Sequence, residues 1–587
     1  MNPLVSDAFV DFLLDDVLDV PGLCALPAFE SHGPDTIRPY LAACRRIGRE
    51  VLYPLYRAMD EAPPRLSDGR VTVHPRLHAA WRELVDLGVI AAVRPVEVGG
   101  QQLPLTVGTL STAYLMAGNL SAYAYAGLTT GAAHLIEAFG SAELKAMCLE
   151  KLYSGQWTGT MALTEPQAGS SLADVTSRAR PTEGGRFLIS GSKIFISAGD
   201  HDLTENLVHL VLARIEGAPP GTRGISLFAV PKLRVGPTGL VANDVHVTGV
   251  IHKIGWRGVP SLALAFGEEG DCQGFLVGPP HQGLKCMFQM MNEARLMVGV
   301  NATATASVAY HEALAYARER KQGRPLGVTD ASAPQVPLVQ HPDVRRMLLR
   351  QKAIVEGSLA LLGVASRYAD LSEHSTDEET RARSKLLLDL LTPIAKSFPA
   401  ERGFEANALA LQVHGGYGYS SEYLPEAWLR DQKLNSIHEG TTTIQGLDLL
   451  GRKVVAGGGA ALLALSAEVE ADLTRARGAG LDVRPLELAL AALVALTPTL
   501  GARGASGDVE GMLGHSADFL DLTSTTVIGW MWAKLAATAA PRNDDFSKGL
   551  ISAWRYWAAT ELPRVPVLAA LCESGERSYL DLRDEWL

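Results

Sequence analysis

A chain of 587 residues, 47% hydrophobic and 20% charged, has an ordinary globular balance and length for about four domain-sized units, which excludes a disordered protein. The formal net charge of −11 leaves no basic excess to hold a phosphate backbone, so nucleic acid is not expected as a partner.

From the start, Asp7, Asp11, Asp15 and Asp16 interrupt the apolar residues, without the basic start and continuous apolar core of a secretory signal; a cytoplasmic protein is expected. After an N-terminal extension over 1–35, the stretches IRPYLAACRRIGREVLYPLYRAM and LHAAWRELVDLGVIAAV have helical spacing, with a Pro/Gly/Asp-rich break between them. A third helix is expected over Leu105 to Ala138, where Glu137 is the one charge; a helix apolar all round is buried or faces a ligand. These make a helical domain over 36–157. Short alternating runs follow, GTMALTEP, GGRFLISGSKIFISAG, LVHLVLARI, GISLFAVP and SLALAFGEE, and predict an antiparallel β domain over 158–278, sandwich or barrel. The pattern returns to long helices over 279–456, a four-helix bundle whose fourth helix follows Glu439. Gly457, Gly458 and Gly459 mark a break before a C-terminal helical domain over 457–587, in which Trp530, Trp532, Trp554 and Trp557 are read as core. The whole is an α+β multidomain protein. The most apolar late stretch, Leu486 to Leu500, contains Glu487 and Pro498 and is short of the roughly 20 residues of a spanning helix, so no membrane span is expected. The six cysteines are scattered without a close pair, and no metal site is expected.

Four stretches carry chemistry. In Met161-Ala-Leu-Thr-Glu-Pro-Gln-Ala-Gly-Ser-Ser171 a strand runs into a turn that offers Thr164, Gly169 and Ser170 to one ligand. Gly191-Ser-Lys-Ile-Phe-Ile-Ser-Ala-Gly199 places an aromatic between Lys193 and Ser197, and His414-Gly-Gly-Tyr-Gly-Tyr-Ser420 has glycines that let backbone approach a ligand. In NSIHEGTTTIQGLDLLGRK, Thr441 to Thr443 and the spacing of Ile444, Leu447 and Leu450 predict a helix that begins close to Glu439. The helix dipole favours an ionised carboxylate there, while apolar surroundings raise its pKa. On these residues alone Glu439 is either a cap or a base. The chain has no G-x-G-x-x-G between a strand and a helix, no Walker loop and no G-x-S-x-G elbow.

The order MALTEP-x-AGS, G-x-K-x-F-I-S, M-x-x-ARL, ERKQGR, Q-x-HGGYGY, I-H-EGT-x-x-IQ resembles the acyl-CoA dehydrogenase family of flavoproteins from about residue 36 to residue 455. With its extra C-terminal domain the chain looks like the long bacterial branch that includes the methylmercaptopropionyl-CoA dehydrogenases. The resemblance implies a homodimeric enzyme of fatty acid β-oxidation, with FAD between the β domain, the bundle and the partner subunit. Leu163, Thr164, Gly169 and Ser170 match the loop at the flavin and acyl-CoA, and Phe195 and Ser197 the next flavin-facing strand. Arg320, Gln412 and Gly416 match the positions at the pyrophosphate and adenine side of FAD. Thr441 matches the cofactor-binding threonine after the base, and Ser170, Arg295 and Gly440 the substrate side.

Glu439 is then the base that takes the α-proton of an acyl-CoA thioester. The β-hydrogen leaves as hydride to flavin N5, the product is a trans-2-enoyl-CoA, and electrons pass to an electron-transfer flavoprotein. In the family the base's backbone N–H and a ribityl hydroxyl meet the developing oxyanion. Ala294 stands where some members carry their base, and Glu293 beside it is read as a helix-face contact. His438, Thr443, Gln167 and Ser171 depart from the family pattern. Gly127, Ala132 and Ala133 are small residues that would leave room for an acyl chain. An acyl-CoA oxidase would share the half-reaction, and peroxide would reveal it. A superfamily flavoprotein that binds nucleic acid in alkylation damage would need a basic C-terminal surface, and no dense Lys/Arg block follows Gly457.

Overall fold

The computed structural model describes residues 2–438 and 440–587, with side chains except those of 288–292. Glu439 lies outside the described residues. The chain divides into two compact units, one of Met1–Ser31, Leu105–Ala113 and Arg295–Leu587, the other of His32–Pro104 and Tyr114–Ala294.

In the second unit the first expected helix is Pro34–Arg46, a π-helical turn Ile47–Leu52, and Tyr53–Glu61. Pro54 has no N–H for the regular ladder, and the wider turn lies just before it. The next helix stops at Leu77–Asp86, because the chain turns at Gly88 with φ +73°. Helix Leu105–Phe139 is broken at Asn119, whose φ of −163° is extended and whose Oδ1 accepts from Ala122 N at 3.0 Å, capping the second half. Ala132 is fully buried, and a Cβ on Gly159 would come within 2.4 Å of its methyl, so its small size serves helix-on-strand packing.

The β domain holds an eight-stranded sheet around a core that includes Ile189, Val211, Phe228, Leu262 and Phe266. Most pairings are antiparallel, but Trp157–Ala162, the strand that leads into Thr164 and Glu165, runs parallel to Asn206–Ile215. Arg186–Ser197 is central: it pairs with Ser261–Phe266, Gln273–Val277 and Arg178–Pro181. Strands Arg178–Pro181, Leu233–Gly236, Gly239–Ala242, Val245–Val250 and Gln273–Val277 lie outside the runs expected from alternation.

In the first unit the long helices are Gly283–Glu319 from Arg295 onward, Pro342–His374 and Glu378–His414. Pro425–Ile437 is an additional helix that the periodicity does not predict. The helix expected at Glu439 starts at Thr442, runs to Asp448 and widens into a π-helical turn at Leu449–Lys453. The N-terminal extension is built into this unit: Asn2 Nδ2 donates to Val308 O at 3.0 Å and Ser307 Oγ to Leu4 O at 2.7 Å.

Beyond the glycines, the expected helix over Val509 to Ala540 is two, Val509–Leu513 and Ser516–Ala539, and Val565–Ser574 is added. All four late tryptophans are buried, and Trp532 Nε1 donates to Ala353 O at 3.0 Å on the Pro342–His374 helix. Helix Arg484–Ala505 is, by length and composition, apolar enough to cross a membrane; Leu486, Leu490, Leu493 and Leu500 bury one of its faces.

Candidate active site

The turn after Thr164 is held by a carboxylate that the sequence leaves without a role. Glu165 is buried and accepts from Lys193 Nζ at 2.8 Å, Ser177 Oγ at 2.6 Å, and Thr176 N and Oγ1 at 2.7 Å each. Burial alone would raise the Glu165 carboxyl, but Lys193 and these donors hold it at about 2. Burial draws the Lys193 ammonium down to about 8, with Glu165 opposing. The pair is therefore ionised at neutral pH. Lys193 Nζ also donates to Leu163 O at 3.1 Å, and Ile194 N to Thr164 O at 2.9 Å, so the loop and the Arg186–Ser197 strand form one piece. Gln167, a departure from the family, joins it by donating to Glu165 Oε2 at 2.7 Å; Ser171 donates to Asp174 Oδ2 at 2.6 Å.

On that strand Phe195 has φ +61° and is 59% exposed. A bulky residue in the left-handed region costs on the order of 1–3 kcal/mol and persists where its surroundings over-determine it, commonly at ligand sites. Ser197 is half-buried opposite Ser261, while Gly169 and Ser170 are exposed on the loop.

Arg320, Gln412 and Gly416 line one cavity of about 790 Å³ together with Tyr316, His414 and Tyr417. Gly415 has φ +60°, and a Cβ on Gly415 or Gly416 would meet nothing within 4 Å, so backbone faces open space. His414 donates Nδ1–H to Ala410 O at 2.8 Å and stacks on Tyr316 at 4.5 Å between centroids; its buried Nε2 has no hydrogen-bond partner among the described residues. The guanidinium of Arg320 lies over Tyr417 at 5.9 Å. A cation, aromatic faces, an amide, exposed backbone and an orphaned ring nitrogen suit a phosphorylated nucleotide, and the volume is within the roughly 300–1,000 Å³ of ligand pockets. The residues fit the adenine and pyrophosphate half of FAD.

Around residue 439 the flanks are described. His438 Nδ1 donates to Leu434 O at 2.7 Å, and burial pulls its imidazole down to about 4, so it is neutral at neutral pH. Gly440 has φ +82°, and its carbonyl accepts from Gln445 Nε2 at 3.0 Å. Thr441 is the N-cap of Thr442–Asp448, without a side-chain cap bond. The buried face of that helix is Gln445, Gly446 and Asp448, whereas Ile444 is 37% exposed. The reason is its packing. A Cβ on Gly446 would come within 2.6 Å of Ser516 O, so only glycine lets the helix meet Ser516–Ala539 of the C-terminal domain. Arg295 is buried and paired with Asp448. Glu293, next to Ala294, pairs with His134 Nδ1 at 3.1 Å, a contact between helix faces.

Four acyl-CoA dehydrogenase models match the chain: N-terminal domain over residues 38–156, middle domain over 160–268, C-terminal domain over 281–454 and the acetyl-CoA dehydrogenase C-terminal-like region over 465–583. The 3-methylmercaptopropionyl-CoA dehydrogenase of Ruegeria pomeroyi is 39% identical over 92% of this chain and 91% of its own. The chain belongs to the acyl-CoA dehydrogenase family. A broad-specificity linear acyl-CoA dehydrogenase of Mycobacterium tuberculosis is 33% identical over 97% of both chains. An acyl-CoA dehydrogenase of Bacillus anthracis, solved in complex with FAD, shares the fold with a TM-score of 0.74 at 19% identity, over 98% of this chain and 93% of that one. The protein is an acyl-CoA dehydrogenase, an oxidoreductase acting on acyl-CoA, and the family's cofactor is FAD.

What sequence reasoning misses in this acyl-CoA dehydrogenase is mostly buried and polar. Lys193 could have been found by parity, since it shares the inward register of Ile189 on its strand. Apart from Gln167, nothing local to Glu165 marks its donors, which lie 11, 12 and 28 positions away.

Proposed function

We propose that Glu439 is the base of this acyl-CoA dehydrogenase and removes the α-proton of the thioester, giving a trans-2-enoyl-CoA. The observation that carries this reading is the cavity in which Arg320, Gln412 and Gly416 meet. Three residues matched to one half of a cofactor line a single nucleotide-sized space, which supports the register of the family motifs and, through it, the position of the base.

Arg320, Gln412 and Gly416 hold the pyrophosphate and adenine side of FAD. Leu163, Thr164, Gly169, Ser170, Phe195, Ser197 and Thr441 hold its flavin side; the Glu165–Lys193 pair keeps the loop and strand that carry most of them in one arrangement. Bound FAD supplies the two-electron acceptor for the β-hydrogen. Ser170 and Gly440 contact the acyl-CoA, and Arg295 supports that side through Asp448. The neutral His438 lends the site no charge. The enzyme works as a cytoplasmic homodimer in fatty acid β-oxidation and passes electrons to an electron-transfer flavoprotein. Its domains divide at 1–35, 36–157, 158–278, 279–456 and 457–587.

The test is oxidation of a panel of short, branched, aromatic and long acyl-CoAs with electron-transfer flavoprotein or with oxygen as acceptor. Enoyl-CoA formed with the flavoprotein and no peroxide is expected. Stoichiometric peroxide would make the protein an oxidase.

A further inference from the structure

Helix Glu378–His414 contains two prolines, Pro393 and Pro399, and midway between them Lys396, none of whose surface is exposed. A lysine ammonium is a strongly hydrated point charge and is almost never fully buried unless something in the fold uses it. The prolines locally open the ladder, since neither can donate to the carbonyl four residues back. One carbonyl so released, that of Ala395, lies where a Cβ on Gly299 would sit at 2.2 Å, so the Gly283–Glu319 helix presses closely on this point. Lys396 thus follows directly on a close contact between two long helices.

Its ammonium points to a third. Lys396 Nζ donates to Asn435 O at 2.6 Å. Asn435 is in the last turn of Pro425–Ile437, where carbonyls run out of intrahelical partners and the dipole is negative, so a cation is favoured. The preceding carbonyl, Leu434 O, accepts from both His438 N at 3.0 Å and His438 Nδ1 at 2.7 Å. Two successive carbonyls at this helix end are therefore closed with the help of side chains, and both closures fix how the chain leaves the helix. Two residues after Ile437 the chain reaches Glu439.

We propose that Lys396 is a positioning residue for the reaction: its hydrogen bond to Asn435 O sets the exit of the Pro425–Ile437 helix at His438, the residue that precedes the base in the sequence. The inference rests on the reading of Glu439 as base. The step it serves is a proton transfer. The α C–H bond breaks, the proton goes to the Glu439 carboxylate, and the electron pair stays on the acyl group, shared with the thioester oxygen.

The experiment follows solvent deuterium entering C2 of a 3-thia-acyl-CoA bound to the holoenzyme, by mass spectrometry. This probe can lose an α-proton but has no β C–H to give up. Wild type, Lys396→Met, Lys396→Gln and Glu439→Gln are compared, each with its flavin content, melting temperature and probe affinity. Methionine keeps the volume and removes the donor, whereas glutamine restores a donor without charge. Lys396→Met is expected to slow exchange about 30- to 100-fold, the scale of a misplaced catalytic group, with probe affinity within about 3-fold, and Lys396→Gln to recover most of the loss. Equal loss in the two variants would make Lys396 a packing residue and overturn the proposal. Wild-type exchange in Lys396→Met, with exchange abolished in Glu439→Gln, would overturn it and leave the base reading intact. Undiminished exchange in Glu439→Gln would instead remove the base reading and the proposal with it.

Discussion

Arg295 donates Nη1–H to Oδ2 of Asp448 at 2.7 Å, with 8% and 4% of the two side chains exposed. The other oxygen of Asp448 accepts from Arg452 Nε at 2.7 Å. Burial alone would raise the Asp448 carboxyl, but the two guanidiniums hold it below the usual carboxylate range. The pair ties the helix that follows Glu439 to the long Gly283–Glu319 helix.

Asp448→Asn leaves the buried Arg295 charge without its carboxylate, at a cost of about 3–5 kcal/mol, whereas Arg295→Met leaves Asp448 with Arg452 alone and costs less. Arg295→Met should therefore lower the denaturation midpoint as well as turnover. Asp448→Asn should do the same, although it touches no substrate in the proposed mechanism. Unchanged stability of both variants by chemical denaturation would show that the pair is not structural.

Glu165 gives a pH prediction. Its folded pKa, about 2, lies below the ordinary value of 4.5, so its stabilisation is complete above pH 4.5 and is lost as pH falls through that window toward 2. Lys193→Met, which strands the carboxylate, should cost about 3–5 kcal/mol at pH 7 and less in acid, where Glu165 can take a proton. Denaturation midpoints at pH 7 and pH 4 measure this. A cost that does not shrink in acid would contradict it.

His438 should not shape the pH profile above pH 5. Its imidazole sits at about 4, depressed from 6.5 by burial, so it is neutral where the enzyme works. Stability linked to it is present above pH 6.5 and fades as pH falls through 4. Replacement by asparagine should leave the apparent pKa values of kcat/KM in place. A limb that moves with this substitution would give His438 a titrating role.

Gly446 predicts a dependence on the C-terminal domain. Gly446→Ala puts a methyl within 2.6 Å of Ser516 O, and such overpacking costs about 1–3 kcal/mol. Because the strained helix follows Glu439, kcat should fall more than substrate affinity. Wild-type kcat in the variant, measured with saturating acyl-CoA, would show that the contact yields without reaching the site.

For the cofactor, Arg320→Met and Gly415→Ala should weaken flavin retention, the first by removing a cation from the cavity and the second by forcing a side chain onto φ +60°. Flavin released on gel filtration measures both. Full retention in both would argue against this cavity as the adenine and pyrophosphate site.

The parts of this molecule that are readable in its sequence are those whose physics is local. Three bundle helices and five strands announce themselves because a long run repeats at 3.6 or at 2, and the four tryptophans because their area has to be buried. Pro425–Ile437 escapes such a reading because, beyond Ala427 and Trp428 in its first turn, the side it buries is polar, Asp431, Gln432, Asn435 and Ser436, so no sustained apolar stripe marks it. The spacing of Ile444, Leu447 and Leu450 marks a helix but not its buried face, which is set by the partners of Gly446 and Asp448 at Ser516 and Arg295. The cavity residues are found through family motifs, whereas Glu165, Lys193 and Lys396 act through partners far off in the chain, which one-dimensional patterns do not carry.

The proposed acceptor of the α-proton is Glu439. Its most direct test is anaerobic addition of a saturated acyl-CoA to Glu439→Gln while the visible absorbance of the oxidised flavin is followed. The variant is expected to bind FAD as wild type does and to show no bleaching; bleaching at the wild-type rate would rule out Glu439 as the base.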